Sequence, residues 1–406
     1  MSASRKAAAR RGRSTRRKRD TRNGRPERRD TRAVAGSDWP PGLDGGVAFA
    51  ALLLCSFGVV MSYSSTATLA LDQRIPPLFL HHVGALVMGL AAGAIAWSMP
   101  TTALRQLALP FWTLSTALLF ATQLFGVEVN GATRWLAVPG IDLRFQPAEL
   151  AKLATALAVA AVVARRDGHA ELSARRALVA GALALPPIAL LVRQPDLGNA
   201  VLLACLVALL LFVAGTKLAR LVAPGVIAFL GVAYYISNHE YAWRRLVGFL
   251  DPWATSSDEG FQLVQSFVAF GRGGLFGVGL GSGQQKLAYL PEAHTDFILA
   301  LVAEELGLIG VLAVLGGFAA LLVAGTRIAT RANDRFALLV GFGMTTLLTV
   351  PAVVNASVVM GLLPTKGLTL PFLSYGRTSL VVSCIALGIL LGVARGNSEA
   401  GVPRWR

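Results

Sequence analysis

The chain has 406 residues, 54% of them hydrophobic and only 15% charged, with mean hydropathy +0.58. Soluble domains carry about 25% charged residues, so an ordinary soluble domain is excluded and a bilayer protein is indicated. The formal net charge of +16 is concentrated at one end: residues 1–40 hold 14 Lys or Arg against 4 acids and supply +10 of it.

Residues 1–42 read as a disordered basic cytoplasmic tail, because Arg5 to Arg32 offers almost no apolar surface to bury. Charge alone would permit nucleic-acid binding. A tail that fixes topology and touches anionic lipid explains the same residues more simply, so membrane lipid rather than nucleic acid is the expected partner. The basic stretch is too long for a signal peptide, and the first apolar run lacks a small-residue cleavage pattern.

Ten apolar spans follow within a membrane domain over 43–396, at roughly 45–64, 79–98, 106–126, 147–165, 177–193, 198–215, 219–237, 297–325, 336–360 and 379–396. The expected fold is therefore an all-α polytopic membrane protein of about ten transmembrane helices. Pro186-Pro187 should kink the fifth. Cys55, Cys205 and Cys384 lie far apart inside apolar runs, with no metal or disulfide spacing, and read as small packing residues. Short connections rich in Arg and Lys (Arg105; Arg165, Arg166, Arg175 and Arg176; Lys217 and Arg220; Arg327, Arg331 and Arg335) place both termini in the cytoplasm, with 397–406 as a short C-terminal tail.

That orientation leaves three long outer loops, 127–146, 238–296 and 361–378, the second lying between helices seven and eight. Long connections are functional or disordered, and the aromatics, Pro, Gly and apolar residues of these three favour order. No internal repeat supports an inverted-repeat transporter. In the second loop, Phe261, Val264 and Val268 recur at helical spacing, as in a short interfacial helix, with Gln262, Gln265 and Ser266 between them. Seven glycines over 271–283 let backbone amides approach an anion, although no strand–turn–helix unit frames them and a flexible turn is the simpler account.

Glu292, His294 and Asp296 fall within five residues, just before the eighth span. Asp296 could cap that helix, which composition alone favours, or be a partly desolvated carboxylate tuned as a general base. Glu149, Lys152, Arg193, Asp196, Glu304 and Glu305 lie in or beside spans, where a charge at mid-membrane costs about 2.5–3.5 kcal/mol unless paired or facing a polar cavity. Glu149 and Lys152, three apart, are placed to neutralise each other. Arg134, Arg144, Arg244, Arg245, Lys286, Lys366 and Arg377 gather on the outer side against the positive-inside bias, as an anionic ligand such as a diphosphate would require, although long translocated loops also escape the bias.

The runs GFQLVQSFVAFGRGGLFGVGLG and QKLAYLPEAHTDFI, with NGATRWL (130–136), QPAELAK (146–152), QPDLG (194–198), EELG (304–307) and PTKGLTLPFLSYG (364–376), resemble the SEDS family (shape, elongation, division and sporulation), and in flavour its cell-division branch. The resemblance spans nearly everything after the tail. It implies a ten-helix fold and a peptidoglycan glycosyltransferase that polymerises lipid II into glycan strands at the septum, in the bacterial inner membrane. It also implies a class B penicillin-binding transpeptidase and other division proteins as partners. The family's catalytic Asp maps to Asp296, and its motif cations map to Arg134, Lys286 and Lys366. Glu292, Arg244, Arg245, Gln262 and Ser266 join these as candidate substrate-binding residues. Three positions depart from the family pattern: Arg377 replaces a glycine, Gly283 stands where Ser is common, and Asn199 where Thr is common.

The expected mechanism has Asp296 take a proton from a sugar hydroxyl as it attacks an anomeric carbon bearing a lipid diphosphate. Arg134, Lys286 and Lys366 would stabilise the departing charge. A divalent cation, Mg or Mn, could share that task, bound largely by the diphosphate itself; no organic cofactor is expected. The alternatives are a lipid II flippase lined by Glu149, Lys152, Glu304 and Glu305, or a division scaffold without chemistry of its own.

Overall fold

The computed structural model describes residues 44–67, 75–129, 132–138, 140, 143–164, 172–290 and 293–399. The predicted tail 1–42, residues 400–406 and the candidate Glu292 lie outside the described residues. Thirteen helices follow in chain order: α1 Gly45–Ala67, α2 Pro77–Ser98, α3 Thr101–Phe125, α4 Pro147–Val163, α5 Ala174–Ala182, α6 Leu185–Arg193, α7 Leu197–Val213, α8 Leu218–Asn238, α9 Glu240–Leu250, α10 Phe261–Gly273, α11 Ile298–Thr330, α12 Arg335–Val359 and α13 Arg377–Glu399.

Among the described residues, eight segments are long and apolar enough to cross a membrane, with α5 and α6 together counting as one. The other two expected positions hold α4 and α7, of 17 residues each. At 1.5 Å per residue these reach roughly 26 Å, just short of a hydrocarbon layer of about 30 Å. The kink expected at Pro186-Pro187 is a break at Leu183-Ala184. A proline ring collides with the carbonyl four residues before it, so the ladder opens one turn upstream and the prolines occupy the first turn of α6.

The core lies where α4, α7, α11, α12 and α13 pack, around Leu153, Leu203, Leu210, Leu299, Leu348 and Leu390. By contrast α8 buries no residue at all. The outer loop 238–296 is more helical than expected: α10 covers the short helix predicted from Phe261, Val264 and Val268, and α9 precedes it.

Two features amend an all-α reading. The first is a small antiparallel sheet in the first outer loop, with β1 Val127–Val129, β2 Ala132–Val138 and β3 Leu143–Phe145 in the order β1-β2-β3. Val127 pairs with Trp135 and Leu136 with Phe145; these β-branched and aromatic residues suit a half-buried pleated surface.

The second is a break inside α11 at Gly307, whose φ of 67° and ψ of −164° are open to glycine alone. The break frees backbone groups that a bilayer cannot satisfy, and the glycine-rich turn after α10 satisfies them. Val278 N donates to the Glu304 carbonyl at 2.9 Å and Gly279 N to that of Glu305 at 3.1 Å, while Leu308 N donates to the Gly274 carbonyl at 2.9 Å. The glycines of 271–283 therefore pair with a broken helix, which is a different use from an anion cradle.

Candidate active site

Two outer loops, 238–296 and 361–378, meet at Asp296. Phe297, not Asp296, is the N-cap position of α11, and its side chain makes no cap. Asn355 of α12, 1% exposed, donates from Nδ2 to the Asp296 carbonyl at 2.7 Å and to the Leu368 carbonyl at 2.6 Å. One amide thus holds the 293–297 turn and the 364–370 loop in a single register. Gly367 lies so close that a Cβ built on it would stand 2.8 Å from Asp296 Oδ2. The same two loops join again where Tyr375 N donates to the His294 carbonyl at 2.8 Å, with the two rings 5.7 Å apart. Ser374 Oγ accepts from Leu370 N at 2.7 Å and so fixes the turn within the 361–378 loop. Asp296 itself is half-buried.

Cations reach the same loops. Arg245 on α9 donates to the Thr365 carbonyl at 3.4 Å, with its guanidinium 4.6 Å from the centre of the Tyr241 ring. Burial pushes the Lys366 pKa below the ordinary lysine value; Asp196 opposes that shift and Arg245 adds to it. Arg134 on β2 donates to the Gln194 carbonyl at 3.2 Å and to the Pro195 carbonyl, immediately before Asp196. Gln194 is itself anchored to α3, donating to the Leu119 carbonyl at 2.8 Å and Thr122 Oγ1 at 2.6 Å. The segments 132–136, 194–198 and 364–370, scattered in sequence, form one cationic rim around Asp196 and Gly367. Arg244, next to Arg245, points elsewhere: it is exposed and pairs with Glu240 at 2.5 Å, which raises its pKa.

Two candidates are used inside the fold. Lys286, expected at a phosphate, is 7% exposed, and its ammonium lies 2.7 Å from Glu305 Oε1 and 3.0 Å from Ser64 Oγ. A lysine carried into an apolar interior needs a counter-ion, and Glu305, fully buried on α11, is that partner. Ser266 is fully buried and spends its hydroxyl proton on the Val359 carbonyl at 2.7 Å. Gln262 is half-buried on α10.

Glu304, Glu149, Lys152 and Asp196 also have partners inside the fold. Glu304 accepts from Gln284 N at 3.0 Å and Gln285 N at 3.1 Å, at a π-helical turn over Gln285–Tyr289. Lys152 lies 2.7 Å from Glu149 and 2.9 Å from Asn199 Oδ1, and Asn199 Nδ2 donates to Asp196 Oδ2 at 2.8 Å. Asn199, one of the departures from the family pattern, thus links the buried pair to the rim.

The residue missed in the sequence is Asn355. A lone amide in the run VPAVVNASVV is costly in a bilayer unless it serves something, and that was the available signal.

The sequence pattern of the cell cycle protein family FtsW/RodA/SpoVE matches residues 46–399. The chain belongs to that family. The FtsW/RodA/SpoVE match encloses both loops at Asp296, the rim and the helix break. Relatives named probable peptidoglycan glycosyltransferase FtsW include one from Geobacter sulfurreducens, 39% identical over 348 residues, covering 85% of this chain and 93% of that protein. Another, from Alcanivorax borkumensis, is 39% identical over 370 residues, covering 88% and 94%. Among solved structures, a chain from work on the structural coordination of polymerization and crosslinking by a peptidoglycan synthase complex is 29% identical with a TM-score of 0.72, covering 87% of this chain and 98% of that one. The rod shape determining protein RodA of Thermus thermophilus is 29% identical with a TM-score of 0.64, covering 87% and 96%. The chain is a multi-pass membrane protein of the FtsW/RodA/SpoVE fold.

Proposed function

We propose that this protein is a peptidoglycan glycosyltransferase that polymerises lipid II, with Asp296 as the general base. The observation that carries the reading is the seat of the Asp296 carboxylate: against Gly367, fixed through Asn355, one residue from Lys366 on the cationic rim. A sugar hydroxyl attacks the anomeric carbon of a lipid-linked sugar and gives its proton to Asp296. The bond from that carbon to the diphosphate breaks, and the charge released falls to Lys366, Arg245 and Arg134. Lys286 has no part in this, since its charge is neutralised by Glu305.

Both termini are assigned to the cytoplasm, with Asp296 and the rim at the outer face of the inner membrane, at the division septum. A class B penicillin-binding transpeptidase is the assigned partner, together with other division proteins; support comes from the similarity to a chain of a peptidoglycan synthase complex. Among the described residues no three His, Cys, Asp or Glu side chains converge. The residues present do not by themselves fit a protein cage for Mg or Mn, and no step is routed through one. The flippase alternative would run past Glu149, Lys152, Glu304 and Glu305, of which Glu149 pairs with Lys152 and Glu305 with Lys286; the similarity to proteins named probable peptidoglycan glycosyltransferase favours the polymerase.

The test is synthesis of glycan strands from labelled lipid II by the purified protein with its transpeptidase partner. A ladder of strands is expected; its absence from a folded, confirmed complex overturns the reading.

A further inference from the structure

Asn199 stands in the first turn of α7 and makes more bonds than capping that helix requires. An N-cap carboxylate needs a single backbone amide, and Asn199 N supplies it to Asp196 Oδ1 at 3.3 Å. The side chain adds a second donor, Nδ2 to Asp196 Oδ2 at 2.8 Å, so one residue holds both carboxylate oxygens. On its other side Asn199 Oδ1 accepts from Lys152 Nζ at 2.9 Å, and Lys152 lies 2.7 Å from Glu149. An ammonium only donates and a carboxylate only accepts, so the amide fits one way round. Glu149, Lys152, Asp196 and Asn199 are all buried.

The clamped carboxylate lies beside the loop that bears Lys366. A Cβ built on Gly198, between Asp196 and Asn199, would stand 3.6 Å from Lys366 Cδ and 3.5 Å from Leu368 Cδ2, so the lysine stem and Leu368 rest on the first turn of α7. The Asp196 charge attracts the Lys366 ammonium and favours its protonated form, against burial and the repulsion of Arg245. Leu368 is held in turn through its carbonyl by Asn355, which also holds Asp296. Glu149, Lys152 and Asn199 share the lining of a cavity of about 30 Å³ with Gly367, Leu368 and Thr369, so the buried chain of polar groups and the loop face one another.

We infer that Asn199 is a positioning residue for the lipid diphosphate: its clamp fixes the Asp196 charge that holds the Lys366 ammonium over the first turn of α7, where it meets the diphosphate. Asn199 itself touches no reacting atom. The inference rests on the polymerase reading, which supplies the diphosphate, and goes beyond it in tracing the ligand site to a buried amide.

The test is isothermal titration calorimetry of the purified full-length protein with farnesyl diphosphate, a short polyprenyl diphosphate. Asn199→Leu keeps the bulk and removes the side-chain clamp, so Kd should rise about fivefold, within the range of couplings inside one hydrogen-bond network. Asn199→Thr carries a hydroxyl that can donate to Asp196 while accepting from Lys152, and should bind within about twofold of wild type. In a Lys366→Met background Asn199→Leu should cost nothing further, whereas a general loosening of the fold would weaken binding in both backgrounds. Asn199→Ala serves in the same comparisons where Asn199→Leu does not fold. Unchanged binding in Asn199→Leu or Asn199→Ala, an equal loss in Asn199→Thr, or the same loss in the Lys366→Met background would each overturn the inference. Wild type that makes glycan strands yet does not bind farnesyl diphosphate would overturn it and leave the polymerase reading standing; wild type that does neither would overturn both.

Discussion

Gly367 and Asp296 are in closer contact than any other residue type at 367 would permit, since a methyl group there would stand 2.8 Å from Asp296 Oδ2. The carboxylate is the movable partner, so Gly367→Ala should fold and bind its partner normally while displacing the base. Misplacing a reacting group by about 1 Å costs about a hundredfold in rate, and kcat should fall by that order with little change in KM. Steady-state polymerisation of lipid II beside a thermal melt checks this.

Asn355 should act on the rate through two loops at once. Asn355→Ala removes the donor to both Asp296 and Leu368 carbonyls. Leaving buried acceptors unmet costs about 1–3 kcal/mol, so the melting temperature should drop and kcat should drop further than the melt alone explains. Asn355→Gln, which keeps the amide at a different reach, should recover stability better than rate.

Lys366 should set the alkaline limit of activity. Burial places its pKa below the ordinary lysine value, so its charge is lost at lower pH than an exposed lysine would lose it. Asp196 raises that pKa and Arg245 lowers it. Asp196→Asn, which keeps a side chain able to cap α7, should therefore move the alkaline limb of kcat/KM to lower pH. Arg245→Gln should move it to higher pH. Limbs that coincide in all three proteins would exclude Lys366 as the group titrating there.

The Lys286–Glu305 pair should be a matter of stability. Either Lys286→Ala or Glu305→Ala leaves a buried charge without its counter-ion, at a cost of about 3–5 kcal/mol. Replacing both by methionine should cost less than either single change. Melting of the purified variants in one detergent measures all three.

How far these features could be read from the sequence differs residue by residue. The eight long apolar spans among the described residues were legible because bilayer thickness imposes a length and a composition. Glu149 and Lys152 were legible as a pair because three residues on a helix bring side chains together. The pairing of Lys286 was not legible because its partner Glu305 lies on another element, and Ser64 on a third. The sheet at Val127–Phe145 was overlooked beneath the stronger helical pattern around it. The glycines of 271–283 could be read only as a flexible turn or, less simply, an anion cradle, because their actual partner, the break at Gly307, exists only once α11 has folded. Asn355 escaped notice for a related reason: its two acceptors are backbone carbonyls far from it in sequence, which no side-chain motif announces.

The most direct measurement compares wild type with Asp296→Asn in polymerisation of labelled lipid II by the purified complex with its transpeptidase. The exchange keeps shape and removes the ability to take a proton, so strands should form with the wild type and fall below detection with the variant, at equal folding and partner binding. Strands from Asp296→Asn at the native rate would contradict the assignment of Asp296 as the base.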